Sequence, residues 1–284
     1  MRKPEILLDG LCFPEGPRWR DGLLWFSDMH DDAVMTVDLN GQAEVVLRVN
    51  GQPSGLGWLP DGRMLVVSMT DHRLLLADPN GARTYADLSE FAEHHLNDMV
   101  VDEHGVVYVG NFGFDLERYL AGEVKAIATR LIMVAPDGSA RKVGGPLWFP
   151  NGTVISPDGR TLIVGESFGS RLTAFDIEDD GTLTNQRVWA ELHDGHPDGL
   201  SLDAEGAVWT SSPGSKAVFR IAEGGVILDK IEVEHQSFAC MLGGPDGKTL
   251  FVLTAKGTAR ERCRDARAGR IEMVQVDVPR AGLP

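Results

Sequence analysis

The chain has 284 residues, of which 43% are hydrophobic and 24% are charged, an ordinary balance for a globular protein. Its formal net charge of −15 argues against nucleic-acid binding, which depends on Lys and Arg contacting phosphates. No apolar run approaches the roughly 20 residues that span a bilayer, and no apolar h-region follows the basic N-terminus, so we expect no membrane partner and no signal peptide. Three widely spaced cysteines form no disulfide framework, and a cytoplasmic location is the expectation.

One sequence unit recurs six times along the chain. Each copy combines a short turn, an apolar segment, a DG-like turn and further β-rich runs. The opening motifs, in chain order, are FPEGPRW (13–19), PSGLGWLPDG (53–62), HLNDMVVDEHG (95–105), FPNGTVISPDG (149–159), HPDGLSLDAEG (196–206) and SFACMLGGPDG (237–247). Segments such as MLVVSM and TLIVGE are short, rich in β-branched residues and bounded by Gly, Asp or Pro, as strands are.

The repeat length points to one architecture. Successive copies are 39 to 54 residues apart, which suits a four-stranded propeller blade. Residues 1–284 are therefore predicted to form a single all-β domain, a six-bladed β-propeller. The segment EILLDG (5–10) is expected to add a strand to the last blade and close the ring. Helical turns are expected only in DLSEFAEHHL (87–96) and LERYLAGEVKAIATR (116–130).

Aligning the copies on the glycine of the DG-like turn makes one further position correspond in all six. Equivalent positions in a propeller are related by rotation about the axis, so their side chains should converge. Ser, Asn and Asp are also common turn residues, but two carboxylates in one channel need a positive partner. Oxygen ligands of this kind suit Ca²⁺, Mg²⁺ or Mn²⁺. We call this set the channel ring: Glu15, Ser54, Asn97, Asn151, Asp198 and Ala239.

The motifs FPEGPRW, LNDMVVDEHG, FPNGTVISPDG and HPDGLSLDAEGAVW, in this order, resemble the SMP-30/gluconolactonase/LRE-like family, which includes regucalcin and related lactonases. The resemblance implies a divalent cation held by Glu15, Asn151 and Asp198, with Asn97 at the substrate pocket. We expect one such ion, Ca²⁺ in the first place, with Zn²⁺, Mn²⁺, Mg²⁺ or Fe²⁺ as alternatives. The implied activity is hydrolysis of cyclic esters, often aldonolactones, with Asp198 as ligand and as proton acceptor from the attacking water.

The chain departs from the sugar-lactone pattern at the pocket. Family members often place an Arg two residues before the pocket Asn, where this chain has His95. The segment VGNFGFDL also lacks a clear match for the acidic residue that holds sugar hydroxyls in some relatives. These departures predict a small-molecule lactone less polar than a sugar lactone. With Asn97, the expected substrate-binding residues are His95, Phe112, Phe149 and His196.

Two other functions stay open at this point. Hydrolysis of phosphotriesters or fluorophosphates would use the same metal site with a wider, more hydrophobic pocket. A Ca²⁺-binding propeller without catalysis is the other alternative, because propellers have many binding functions. We expect a monomer or a small homo-oligomer. The insertion GFDLERYLAGEVKAIATR (113–130) is long enough to cover the channel mouth.

One catalytic motif is judged coincidental. GESFG (165–169) fits the G-x-S-x-G pattern of serine hydrolases, which requires a helix after the serine. A strand-like segment, RLTAFDI, follows instead. Ser167 is therefore predicted to lie in a hairpin turn.

Overall fold

The computed structural model describes residues 2–78, 81–193 and 195–284. Its strands form six antiparallel sheets of four strands each, arranged as blades around a central axis. The predicted six-bladed β-propeller is therefore confirmed. The glycines of the six DG-like turns all have positive φ, between 71° and 85° in the present structure, which explains why glycine recurs there.

The strands follow the blades in chain order. The first strand, β1 (Glu5–Leu11), belongs to blade 6. Blade 1 contains β2 (Pro14–Arg20), β3 (Leu23–Asp28), β4 (Ala33–Val37) and β5 (Ala43–Arg48). Blade 2 contains β6 (Pro53–Trp58), β7 (Met64–Ser68), β8 (Arg73–Asp78) and β9 (Gly81–Asp87). Blade 3 contains β10 (Leu96–Val101), β11 (Val107–Asn111), β12 (Thr129–Val134) and β13 (Ala140–Leu147).

Blade 4 contains β14 (Pro150–Ile155), β15 (Thr161–Glu166), β16 (Arg171–Ile177) and β17 (Leu183–Glu191). Blade 5 contains β18 (Leu200–Leu202), β19 (Val208–Ser212), β20 (Ala217–Ile221) and β21 (Ile227–Glu232). Blade 6 contains β22 (Gln236–Gly243), β23 (Thr249–Ala255) and β24 (Gly269–Gln275), with β1 as its outermost strand. The inner strands, which lie at the axis, are β2, β6, β10, β14, β18 and β22.

The N-terminal segment closes the ring. Strand β1 pairs antiparallel with β24, with Glu5 opposite Met273, so blade 6 joins the two ends of the chain. The predicted role of EILLDG is therefore confirmed. The C-terminal tail crosses the opposite end of the channel, where Leu283 bridges to Ile155 and Arg280 bridges to Asp203.

In the described residues, two short α-helices and two single-turn 3₁₀ helices (Met29–Asp31 and Pro213–Ser215) interrupt the strands. Helix α1 (Leu116–Leu120) lies in the predicted insertion, and 87–96 forms a hydrogen-bonded turn rather than a helix. Helix α2 (Arg260–Ala266) was not predicted. Its sequence RERCRDA buries only Cys263 and therefore lacks the apolar stripe that identifies a helix from sequence. Within the described ranges, no helix has the length and apolar character needed to cross a membrane.

The apolar core is divided among the blade interfaces. Neighbouring blades bury Val, Leu, Ile and Phe side chains of facing sheets against each other. Between blades 2 and 3, for example, Leu65 and Leu74 pack with Met99 and Val109. This arrangement leaves the inner strands at the axis free to carry polar side chains.

At the axis, the inner strands pack backbone against backbone. In four blades the residue after the channel-ring position is glycine. A Cβ added to Gly16 would lie 2.5 Å from the carbonyl oxygen of Ser54, and one added to Gly152 would lie 2.4 Å from the backbone nitrogen of Leu200. Real Cβ atoms do not approach other atoms so closely. Glycine therefore permits the contact that brings the ring side chains of successive blades together.

The close approach of the inner strands is tested by Gly16→Ala. Gly22 is a matched control, because it also has positive φ (79° against 54° for Gly16) but no atom lies within 4 Å of the position of its Cβ. Gly22→Ala is expected to lower the free energy of unfolding by about 1 kcal/mol, from backbone conformation alone. Gly16→Ala should cost at least about twice as much, from the added clash. Urea denaturation measures both, and equal costs would contradict the contact.

Candidate metal centre at the channel mouth

The channel ring lies at the end of the channel where the inner strands begin, which we call the mouth. Neighbouring members are tied together through the backbone. The side-chain amide of Asn97 donates to the carbonyl oxygen of Pro150 at 3.2 Å, and the N–H of Gly152 donates to the carbonyl of Asp198 at 3.2 Å. The six residues of the ring thus come from six inner strands or the residues just before them: Glu15, Ser54, Asn97, Asn151, Asp198 and Ala239.

Glu15 and Asp198 form the charged part of the ring. Both are half-buried. Loss of hydration raises the pKa of Glu15 to about 8; the N–H of Gly16, 3.1 Å from its Oε2, opposes this shift, and the Asp98 carboxylate adds to it. Burial, and then the charge of Glu15, raise the pKa of Asp198 well above its usual range. Two carboxylates so placed do not both ionise readily without a cation.

Asn151 is held beside this pair by a serine. Its Nδ2 donates to Ser167 Oγ at 3.2 Å, and Ser167 Oγ donates to the carbonyl oxygen of Pro197 at 2.7 Å. A further hydrogen bond from the Asn151 side chain lowers the pKa of Asp198. Ser167 lies between β15 and β16 in a turn, as predicted, and its hydroxyl proton is committed to a carbonyl. The serine therefore orients Asn151.

His95 and His196 both lie near the ring but in different environments. His95 is half-buried, with its ring centroid 5.6 Å from that of Phe112. Burial, and then the nearby His72, lower the pKa of His95, so its imidazole is neutral at pH 7. His196 is exposed, and its Nδ1 lies 2.8 Å from the carbonyl oxygen of Ser167.

Aromatic side chains cover one side of the mouth. Phe112 stacks on Phe149 with centroids 4.4 Å apart, and Phe149 contacts Phe168 at 5.0 Å. Phe149 has φ of +58°, a conformation that a bulky residue rarely adopts. The insertion adds Phe114 and Tyr119, which both pack edge-on against Phe168. It therefore forms a wall between blades 3 and 4.

A second apolar cluster faces Phe112 from blades 1, 2 and 6. Phe13 and Phe238 are in contact with centroids 4.7 Å apart, and Met29 and Met69 pack with them. Phe112 is partly buried against this cluster. Apolar side chains therefore surround the polar ring from several blades.

Two charged residues near the ring were not identified from sequence. Arg18 and Asp98 are close to Glu15, and they form an ion pair at 2.7 Å. Each had a signal in the sequence. Arg18 is a basic residue within an inner strand, and Asp98 takes the position after the ring where four other copies have glycine.

The donor set fits a hard divalent ion. In the part of the chain that the structure describes, no three His, Cys, Asp or Glu side chains are grouped to hold a metal. A zinc site of histidines is therefore not found, and an ion in the ring would need amide oxygen as well as carboxylate. Glu15, Asn151 and Asp198 offer that combination, and a divalent cation would remove the repulsion between the two carboxylates.

Residues 13–256 match the family model of the SMP-30/gluconolactonase/LRE-like region, and the chain belongs to this family. It is 24% identical over 293 residues to the 6-deoxy-6-sulfogluconolactonase of Pseudomonas putida, covering 100% of this chain and 96% of that protein. It is 23% identical to the gluconolactonase of Zymomonas mobilis, covering 92% and 81%. The fold matches regucalcin, a calcium-binding protein of Agrobacterium tumefaciens, with a TM-score of 0.82 at 23% identity, over 100% and 97% of the chains.

The raised pKa of Glu15 predicts an unusual pH dependence for the metal-free protein. Between about pH 4.5 and pH 8, folded Glu15 keeps its proton while the unfolded chain loses it. The free energy of unfolding should therefore fall as pH rises through this window, by up to about 5 kcal/mol. Denaturant titrations in the presence of a chelator measure this slope.

Glu15→Gln should reduce the slope, because glutamine does not titrate, and the part that Asp198 contributes should remain. Glu103→Gln removes a carboxylate whose side chain is 71% exposed and should leave the slope unchanged. An excess of Ca²⁺ should reverse the trend in the unmodified protein, since the ion binds ionised carboxylates. A metal-free protein equally stable at pH 5 and pH 8 would contradict the strained carboxylate pair.

Proposed function

We propose that the protein is a divalent-metal-dependent lactonase, a hydrolase acting on the carboxylic ester bond of a cyclic ester. The observation that carries the proposal is the paired carboxylates of Glu15 and Asp198 beside Asn151 at the channel mouth. Membership of the family supports it, as do the names of the relatives, which are a sulfogluconolactonase and a gluconolactonase. The name of the structural neighbour, a calcium-binding regucalcin, supports Ca²⁺ as the ion.

Each residue of the site has its own part in the proposed reaction. A cation bound by Glu15, Asn151 and Asp198 would polarise the lactone carbonyl and stabilise the negative charge that develops on its oxygen. Asp198 is assigned as the general base that accepts the proton from the attacking water, because a bound cation would keep ionised this carboxylate, whose pKa burial otherwise raises. Asn97 is buried with its Nδ2 on the Pro150 carbonyl, and it orients the substrate beside the ring.

The surroundings of the ring support a lactone less polar than a sugar lactone. Phe112 and Phe149 border the ring on one side, and Phe13 lies in the cluster on the other. His95 is neutral and packs on Phe112, so it does not offer sugar hydroxyls the charged donors of an arginine. An aromatic or aliphatic ring substituent would bury apolar area against these side chains.

The reaction and its metal dependence are tested by proton release from a lactone panel. The panel runs from gluconolactone to unsubstituted aliphatic and aromatic lactones. Chelation should abolish turnover, and Ca²⁺ or another divalent ion should restore it. Asp198→Asn should lower kcat by about 10²- to 10⁴-fold, the usual contribution of a general base. The control Asp179→Asn alters an exposed carboxylate in a loop and should leave kcat unchanged.

Turnover that survives chelation, or full activity of Asp198→Asn, would contradict the mechanism. Phosphotriesters and fluorophosphates belong in the same assay, because the apolar mouth also suits them. If metal binds and only these substrates turn over, the site hydrolyses phosphotriesters or fluorophosphates and not lactones. If metal binds and nothing turns over, the protein is a binding propeller.

Phe112→Ala tests the apolar wall. It should reduce kcat/KM for an aromatic lactone by about tenfold or more, since it removes the stacking surface, and change gluconolactone turnover little. Phe219→Ala is a matched control, because Phe219 is also partly buried but lies on β20. Initial rates at several substrate concentrations measure the effect. A loss of the same size for both lactones would show that Phe112 supports the fold rather than the substrate preference.

A further inference from the structure

Arg18 crosses the channel just below the ring. It lies on β2, three residues after Glu15, and is only 4% exposed. Its Nε donates to the carbonyl oxygen of Leu56 in blade 2 at 2.8 Å. Its Nη2 donates to the carbonyl oxygen of Met99 in blade 3 at 2.5 Å, and Nη1 donates to Pro17 at 2.8 Å. The guanidinium therefore spans the inner strands of three consecutive blades.

The partner of Arg18 is a third carboxylate at the axis. Asp98 follows Asn97, and its Oδ1 accepts from Arg18 Nη2 at 2.7 Å and from the N–H of Met99 at 2.8 Å. The ion pair is well shielded, with side-chain exposures of 5% for Arg18 and 13% for Asp98. A Cβ on Gly55 would lie 2.7 Å from Asp98 Oδ1, so the glycine of blade 2 leaves room for this carboxylate.

Asp98 and Arg18 act electrostatically on the residues of the ring. Asp98 contributes to the raised pKa of both Glu15 and Asp198, and Arg18 lowers the pKa of Glu15. Three ionised carboxylates with one guanidinium carry the same charge, −2, as the two ring carboxylates alone. That charge matches a divalent cation. A second arginine side chain, Arg280 of the C-terminal tail, lies near Arg18. Its Nη1 donates to the carbonyl oxygen of Trp19 at 3.1 Å.

We infer that Arg18 and Asp98 form an internal charge pair in which each residue offsets the effect of the other on the affinity of the channel ring for its divalent ion. The inference rests on the proposed function, because it requires the ion to bind at Glu15 and Asp198. Arg18 and Asp98 are positioning residues: neither is assigned as a ligand, and each acts through the field and the placement of the ring carboxylates.

The charge pair predicts changes in metal affinity that structural damage would not produce. Asp98→Asn leaves a buried guanidinium beside the ring, which repels a cation. Arg18→Met leaves a buried carboxylate, which attracts one. The two substitutions should therefore change metal affinity in opposite directions. Distortion of the ring would weaken binding in both variants.

Calorimetric titration of the chelator-stripped protein with Ca²⁺ measures this directly. We expect Asp98→Asn to raise the Kd by about tenfold or more, and Arg18→Met to lower it. The double variant R18M/D98N restores the charge of the ring, and its Kd should return to within about threefold of the original value. Glu103→Gln, an exposed carboxylate outside the ring, should have no effect.

A separate variant distinguishes this inference from the proposed function. If Glu15→Gln binds Ca²⁺ as tightly as the unmodified protein, or if no divalent ion binds, the site itself is wrong and the inference is overturned with it. If Glu15→Gln loses binding while Asp98→Asn does not, only the charge pair is overturned. Equal weakening by Asp98→Asn and Arg18→Met also overturns it.

Folding of the variants is checked by thermal denaturation without metal. If Arg18→Met does not fold, Asp98→Asn and R18M/D98N still decide the question. Recovery of affinity in the double variant supports the pair, since a purely structural role for Arg18 would add a second loss. A double variant that binds more weakly than Asp98→Asn overturns it.

Discussion

Where the inner strands meet at the axis, Gly16 lies so close to Ser54, and Gly152 to Leu200, that only hydrogen fits between the backbones. The rest of the site depends on this contact. It places one residue per blade at the same level of a narrow channel, so side chains far apart in sequence become neighbours. The glycine that follows four of the six ring positions is thus a packing requirement of the axis, as well as part of a turn motif.

Crowding at the axis also concentrates charge. Glu15 and Asp198 lose hydration, which raises the pKa of both carboxyl groups, and the charge of Glu15 raises the pKa of Asp198 further. Asp98 would make the repulsion worse if Arg18 were not buried beside it. The propeller can hold these charges at its centre because its apolar core is divided among the blade interfaces. The channel therefore holds a polar site with crowded carboxylates inside an apolar frame, and a bound divalent cation would offset their repulsion.

We expect substrate specificity to depend on the side chains between the ring and the solvent at the channel mouth. Phe112, Phe149 and the cluster around Phe13 line the mouth with apolar surface, while the ring below remains polar. Ser167 accepts a hydrogen bond from the Asn151 side chain, so a residue of a neighbouring turn keeps this member of the ring in place. Within one family and fold, substitutions among the side chains at the mouth can then change the substrate while the ring and its charges are retained.

The sequence by itself determined the number of blades and six equivalent positions on or just before the inner strands, because a rotational repeat makes equal positions in the sequence equal positions around the axis. The closing strand β1 followed from the same repeat. The short helix α2 did not, since its sequence carries no apolar period. Only the tertiary structure paired Arg18 with Asp98: they lie 80 residues apart on different blades, and no local pattern records contacts made across a channel.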